Sequence, residues 1–441
     1  MENNKKKNVV LKIKFSIILF VLLSVNIQAQ VQRVKIGTTS SPPNAEANLS
    51  LIQRFQQYNQ KPGHLNDIFD KNINSPKSVN ILDRLDKFYV HSLEGCLTAV
   101  YSLSDFRLLT TIHHDFNQKN QHLFLEDSYF DYKFRTKKEK LNYFSGKPVE
   151  SCFSHAGKYL WVTYYRRTYD PNAVDPSAVC IIDTDADTIV RVMPTAPLPK
   201  MISCSPDNRT IAVTHWGDNT VALIDISSDT PTEFKYLKNI VIDYRLPLTF
   251  SGNIAVDRDQ NCGHCLRGTV FTPNSQYVFI GKMGSTSVAV VDVENQKYIG
   301  SVSGMKGNMR HLIINNGYLY LSINNAGFIQ KASLTDFLAH IQENGNEKFN
   351  AWTNVYVGEG ARTIVAGFDG KYIFAAVNNK SQISVVRTSD MKVVAQCPVD
   401  SYPVGMDISE DGQFLIVTSQ GKANGGGNSV MIFKLEIRQP D

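Results

Sequence analysis

The sequence predicts an all-β ring, a seven-bladed β-propeller built from four-stranded blades. Three observations lead there. A strand–turn–strand–loop–strand unit recurs seven times. The units are rich in β-branched and aromatic residues and are bounded by Gly, Asn, Asp and Pro. No helical periodicity separates them, and a stacked solenoid would need shorter, more uniform repeats. The clearest unit starts at Pro199, turns at Ser205-Pro206-Asp207-Asn208, and continues through residues 210–214 and 220–225. Equivalent units start at Pro76, Pro148, Leu266, Met309, Ala361 and Pro403.

In chain order, residues 1–29 read as a secretory signal peptide. Lys5, Lys6, Lys7, Lys12 and Lys14 precede an apolar run from Phe15 to Val25, and Ala29 supplies the small residue for cleavage. The run is shorter than the roughly 20 apolar residues that span a bilayer. No cysteine for lipid attachment stands at the cleavage site, and the mature chain carries no transmembrane anchor. The expected location is periplasmic or secreted. Cleavage removes five lysines and one glutamate and takes the formal charge from +5 to +1. Affinity for an anion must therefore come from a local patch. Residues 30–75 form a polar lead-in. The seventh unit lacks an outer strand after Leu435, and Val31 to Gly37 is expected to supply it and close the ring. Residues 76–441 make the propeller. Segments 113–147 and 228–265 are insertions between units, and 333–344 reads as a short helix with Leu334, Phe337, Leu338 and Ile341 on one face. With 42% hydrophobic and 20% charged residues, the composition excludes long disorder.

The seven cysteines leave at least one thiol unpaired in a monomer. Cys152, Cys180 and Cys204 lie in apolar strand patterns and read as small core residues. Cys262-Gly263-His264-Cys265 is the sharpest short motif. It lacks the βαβ setting of a redox site, the following His of a haem attachment site and the second Cys pair of a zinc site. A local Cys262–Cys265 disulfide that stiffens the loop before Arg267 is the favoured reading, with a metal or redox site as its competitor. His113, His114 and His155 fall in loop or turn contexts and read as solvated.

The units Ser-Pro-Asp-Asn-Arg-Thr-Ile-Ala-Val-Thr (205–214) and Asn-Thr-Val-Ala-Leu-Ile-Asp (219–225) resemble the YVTN β-propeller repeat, as do 411–418 and 177–183. The likeness covers residues 76–435. It implies a relationship to exported YncE-like proteins, some of which are associated with single-stranded DNA. No functional residue transfers with it, because the repeat motif is structural.

Aligning the units exposes one column. The second position reads Lys77, Val149, Lys200, Arg267, Arg310, Arg362 and Val404. It opens the innermost strand, so five cations are expected at the mouth of the central channel. Loops on the same face add Tyr164, Tyr165, Arg166, His215, Trp216 and Lys282. Cations interleaved with aromatics suit an anionic ligand with a flat part. The competing reading pairs the cations with acids such as Glu150 and Asp407 to lock blade to blade. No Gly-x-Ser-x-Gly, His-Glu-x-x-His or phosphate-cradling loop is present, and the sequence requires no cofactor or metal. Three functions remain: a binding protein for an anionic small molecule or polymer, a propeller enzyme of lactonase-like or quinoprotein-like type, and an envelope scaffold that docks other proteins through its insertions.

Overall fold

Each unit folds into an antiparallel sheet whose first strand lies innermost. The seven innermost strands touch in order, and the last meets the first. The computed structural model describes residues 31–43, 45–125, 142–247, 256–344, 347–421 and 426–438. The expected signal peptide lies outside the described residues, as do 126–141 and 248–255 of the two insertions. Among the described residues, no helix is long and apolar enough to cross a membrane.

A blade is sandwiched between two others, so its middle strands are covered on both faces. Leu97–Ser102, Thr220–Asp225 and Tyr372–Val377 are buried almost throughout. Their near-continuous β-branched and aromatic sequence follows from that position rather than from an in–out alternation. Trp161 shows the packing: it is fully buried between blades 2 and 3 and stacks on Phe234 with ring centroids 5.5 Å apart. Truncating such a side chain to Ala costs about 3–5 kcal/mol.

The N-terminal segment closes the ring, but not with Val31 to Gly37. The closing strand is Ala47–Gln56, antiparallel to Ser429–Ile437 with Ala47 opposite Ile437 and Gln56 opposite Ser429. Ala47, Leu49 and Leu51 point into the core, whereas Val34 and Ile36 are only partly buried. The earlier segment is tied alongside: the Gly37 amide donates to Leu51 O at 2.8 Å and the Val34 amide to Asp400 Oδ1 at 2.9 Å. Asp400 also takes Arg54 at 3.2 Å, Tyr58 at 3.1 Å and Ser429 at 2.7 Å. One carboxylate thus joins the N-terminal segment to the C-terminal blade.

The expected helix is present as Leu334–Asn344, with Phe337 fully buried and Leu338 and Ile341 packed against the same cluster. Cys180 is buried, and Cys152 and Cys204 pack beside the core between blades 2 and 3. His114 departs from expectation. It is fully buried, with Nε2 2.8 Å from Thr98 Oγ1 and Nδ1 3.0 Å from Tyr164 Oη. His155 is half-buried and bonds Ser228 O at 2.9 Å, while His113 is exposed.

Candidate functional site in the channel mouth

The register between first and second strands breaks at the start of every blade, with an additional break between Gly146 and Pro148 in blade 2. It breaks between Pro76 and Val79, Pro148 and Ser151, Pro199 and Met201, Leu266 and Thr269, Met309 and His311, Ala361 and Ile364, and Pro403 and Gly405. Each of these seven breaks contains the residue of the sequence column. An unpaired bulge residue bends the strand and re-aims its side chain, so one irregularity repeated seven times turns a column of sequence into a ring of side chains.

Lys77, Lys200, Arg267, Arg310 and Arg362 line a single cavity of about 400 Å³ together with Tyr165, Trp216, Tyr402, Gln420 and the acids Glu94, Glu150 and Asp259. Arg267, Arg310 and Arg362, with Glu150, also line a second cavity of about 210 Å³ between the innermost strands. The three guanidiniums therefore form a waist between the mouth and the deeper channel.

Two cations have carboxylate partners. Arg267 meets Glu150 at 3.3 Å and Lys200 meets Asp259 at 3.0 Å. Lys77 donates to an amide, Gln420 Oε1, at 2.7 Å. Among the described residues, Arg310 and Arg362 have no side-chain hydrogen-bond or ion-pair partner, and the Nε of each is buried without an acceptor. Asp407 does not serve as their counter-acid: it accepts the Ile81 amide at 2.8 Å, and burial pushes its carboxyl up to about 7.

This crowding of charge is visible in the titration of the mouth. Burial, then Arg362, Lys200 and Arg267, push the Lys77 ammonium well below the usual lysine range. Burial brings Lys200 down to about 7, with Asp259 opposing the fall. Burial followed by Arg362 and Arg267 lowers Arg310 to about 8, and burial followed by Arg267 lowers Arg362 to about 10. A guanidinium gives up its proton least readily of all side chains, so the lysines are the groups that discharge the site when it is empty.

Of the loop residues, Tyr165, Arg166 and Trp216 reach the cavity. Arg166 lies over Tyr165 at 4.3 Å, Trp216 Nε1 donates to Asp259 O at 3.2 Å, and Lys200 sits over both aromatic rings at 4.1 and 4.8 Å. Three others are placed elsewhere. Tyr164 is buried between blades 1 and 2 with Phe116, Phe144 and His114. His215 is buried with Nδ1 2.9 Å from Thr220 Oγ1, and burial pushes it down to about 3, so it adds no positive charge. Lys282 is buried against Asp243 at 2.6 Å, which His264 also meets at 2.9 Å. The reason is common to all three: these strand ends turn into the contact between blades rather than toward the axis. Cys262 and Cys265 are disulfide-bonded, and among the described residues no three His, Cys, Asp or Glu side chains gather as a metal site would require.

Sequence reasoning missed Tyr402, Gln420 and Asp259. Asp259 comes from an insertion, where a turn closed by its own amide on Asp257 Oδ1 at 2.9 Å sets its position. No repeat register reaches it.

The architecture is that of a seven-bladed β-propeller with a cation-lined axial mouth. No family model matches the chain, and no curated protein does. Among solved structures it is similar to Kuenenia stuttgartiensis hydrazine synthase, with a TM-score of 0.57 and 11% identity over 86% of this chain and 100% of that one. It is also similar to the β-propeller domain of Cps50 (Swd1) from Myceliophteria thermophila, with a TM-score of 0.55 and 11% identity over 82% of this chain and 97% of that one. At this identity the likeness shows the fold alone.

Proposed function

We propose that this propeller is an exported binding protein that holds an anionic ligand, or an anionic part of a macromolecule, in the mouth of its central channel. The observation that carries the reading is the pair Arg310 and Arg362, two guanidiniums facing a cavity whose acids Glu94, Glu150 and Asp259 are paired with other cations. A buried charge without a partner is costly. A carboxylate, phosphate or sulfate would remove that cost and gain charge-assisted, bidentate hydrogen bonds. Tyr165 and Trp216 place aromatic surface beside the cations, which suits a flat group next to the anion. Export rests on the N-terminal sequence, and kinship with YVTN/YncE-like proteins on the repeat. Single-stranded DNA is therefore one anion to include in a screen.

The test is a thermal-shift screen against single-stranded DNA, haem, sugar acids, lactones and cell-wall fragments. A ligand that binds only the folded state raises the melting temperature. The expected result is a rise with at least one anion that weakens in salt and disappears in the Arg310→Ala/Arg362→Ala double variant. No rise with any anion, or an equal rise in the double variant, overturns the reading.

A further inference from the structure

We propose that Lys77 is a nucleophilic amine that captures a carbonyl-bearing anion, such as a 2-oxo acid, as an imine in the channel mouth. The inference rests on the anion-binding reading and names the substrate class of that site.

The argument starts from what Lys77 touches. The two most buried lysines of the described residues sit on carboxylates, Lys200 on Asp259 at 3.0 Å and Lys282 on Asp243 at 2.6 Å, and half-buried Lys87 sits on Asp187 at 2.7 Å. Lys77 sits on the amide oxygen of Gln420, which is held by its own Nε2 donating to Ser75 Oγ at 2.9 Å. An amide oxygen carries no formal charge and does not stabilise an ammonium as a carboxylate does. Five more cations line the same cavity. A desolvated lysine beside other cations is the arrangement that leaves an amine unprotonated and nucleophilic near neutral pH, and the direction in which burial and Arg362 move Lys77 agrees. The backbone is fixed as well: Lys77 lies in its bulge, and Thr418 Oγ1 donates to its carbonyl oxygen.

In the step, the Nζ lone pair adds to the carbonyl carbon of the ligand. The C–O bond then breaks and the oxygen leaves as water, carrying in net the two amine protons, so that a C=N bond replaces C=O. No oxidant or reductant is consumed. Arg310 and Arg362 hold the neighbouring anionic group, which places the carbonyl in the same cavity as the amine.

The probe is glyoxylate, the smallest anion with an adjoining carbonyl, with cyanoborohydride to reduce the imine to a stable amine. Glycolate is the matching anion without the carbonyl. Peptide mass mapping at pH 7 is expected to find Lys77 alkylated at least about tenfold faster than the exposed Lys297, since each pKa unit of depression gives tenfold more free amine. Excess glycolate should slow labelling of Lys77 and leave Lys297 unaffected. Lys77→Met should lose the label and, adding no charge to the crowded mouth, should melt no lower than the wild type. If glycolate raises the melting temperature but Lys77 labels no faster than Lys297, the imine proposal falls and the anion site stands. If Lys200 takes the label instead, or glycolate does not slow Lys77, the proposal falls. If no anion shifts the melt and Lys77 is unlabelled, both readings fall.

Discussion

Replacing Arg362 with Met separates a binding group from a structural clamp. In the folded chain Arg362 is 6% exposed, and burial with the Arg267 charge brings it to about 10 from an ordinary 12.5. At about 1.4 kcal/mol per tenfold, the charged guanidinium destabilises the empty fold by on the order of 3 kcal/mol at pH 7. The sign is clear: a base with a depressed folded pKa binds its proton less well in the native state, so its charge opposes folding throughout the range below about 10. Met keeps most of the stem and removes the charge, and the gain is reduced by the contacts it forfeits. A net stabilisation of about 1–3 kcal/mol is expected. For a chain of 441 residues, unfolding entropy converts this to a rise of about 1–3 °C in melting temperature. The assay is differential scanning calorimetry in dilute buffer free of phosphate and sulfate. A bound anion at a hundred times its Kd stabilises the wild type by about 2.7 kcal/mol, so adding it should reverse the order of the two proteins. The comparison is Glu150→Gln, which strips Arg267 of its carboxylate at 3.3 Å and should cost about 3 kcal/mol. If Arg362→Met melts below wild type in anion-free buffer, as Glu150→Gln does, the guanidinium is a clamp between blades and the reasoning is refuted.

Stability of the empty protein should rise from pH 7 toward pH 9. Lys200 titrates at about 7 in the fold and near 10.5 in the unfolded chain, so the unfolded state binds more protons there. Above 9.0 buried thiols such as Cys180, pushed up to about 12, work in the opposite sense. Denaturant titrations at several pH values should show the slope, and Lys200→Met should flatten it. Asp400→Asn should lower stability by about 3–5 kcal/mol, because it leaves the buried Arg54 without one of its two carboxylates at the ring closure. Enhanced proteolysis within residues 31–56 would report that opening, and an unchanged melt would count against the closure. Gly405→Ala should be destabilising by about 1–3 kcal/mol, because a Cβ there collides with the Lys77 carbonyl and crowds Ser78 Cα at 2.9 Å. Urea unfolding measures it, and a neutral effect would show that blades 1 and 7 can slide apart at no cost.

The parts of this molecule that were legible in the sequence are those tied to the phase of the repeat. The column from Lys77 to Val404 could be aligned because each blade carries its bulge at the same place, and a bulge fixes direction as well as position. Loop residues carry no such phase. Tyr164 and Tyr165 are neighbours, yet one is sealed with Phe144 between blades and the other lines the mouth; only the end of strand Tyr159–Arg167 decides which, and its composition does not. The closing strand was misplaced for a similar reason. Val31 to Gly37 and Ala47–Gln56 both carry apolar residues, but only the second runs the ten residues needed to pair with the open edge of the last blade. Counter-charges were hardest to read, since Asp259 reaches the channel from an insertion outside the repeat. The functional consequence lies in that asymmetry. The repeat supplies cations to the ring at five of seven positions, whereas the acids of the mouth are Glu150, which follows the column in blade 2, Asp259 from an insertion, and Glu94, which is paired with Lys147. Among the described residues Lys77, Arg310 and Arg362 are the column cations bonded to no carboxylate, and an incoming anion would meet its strongest field there.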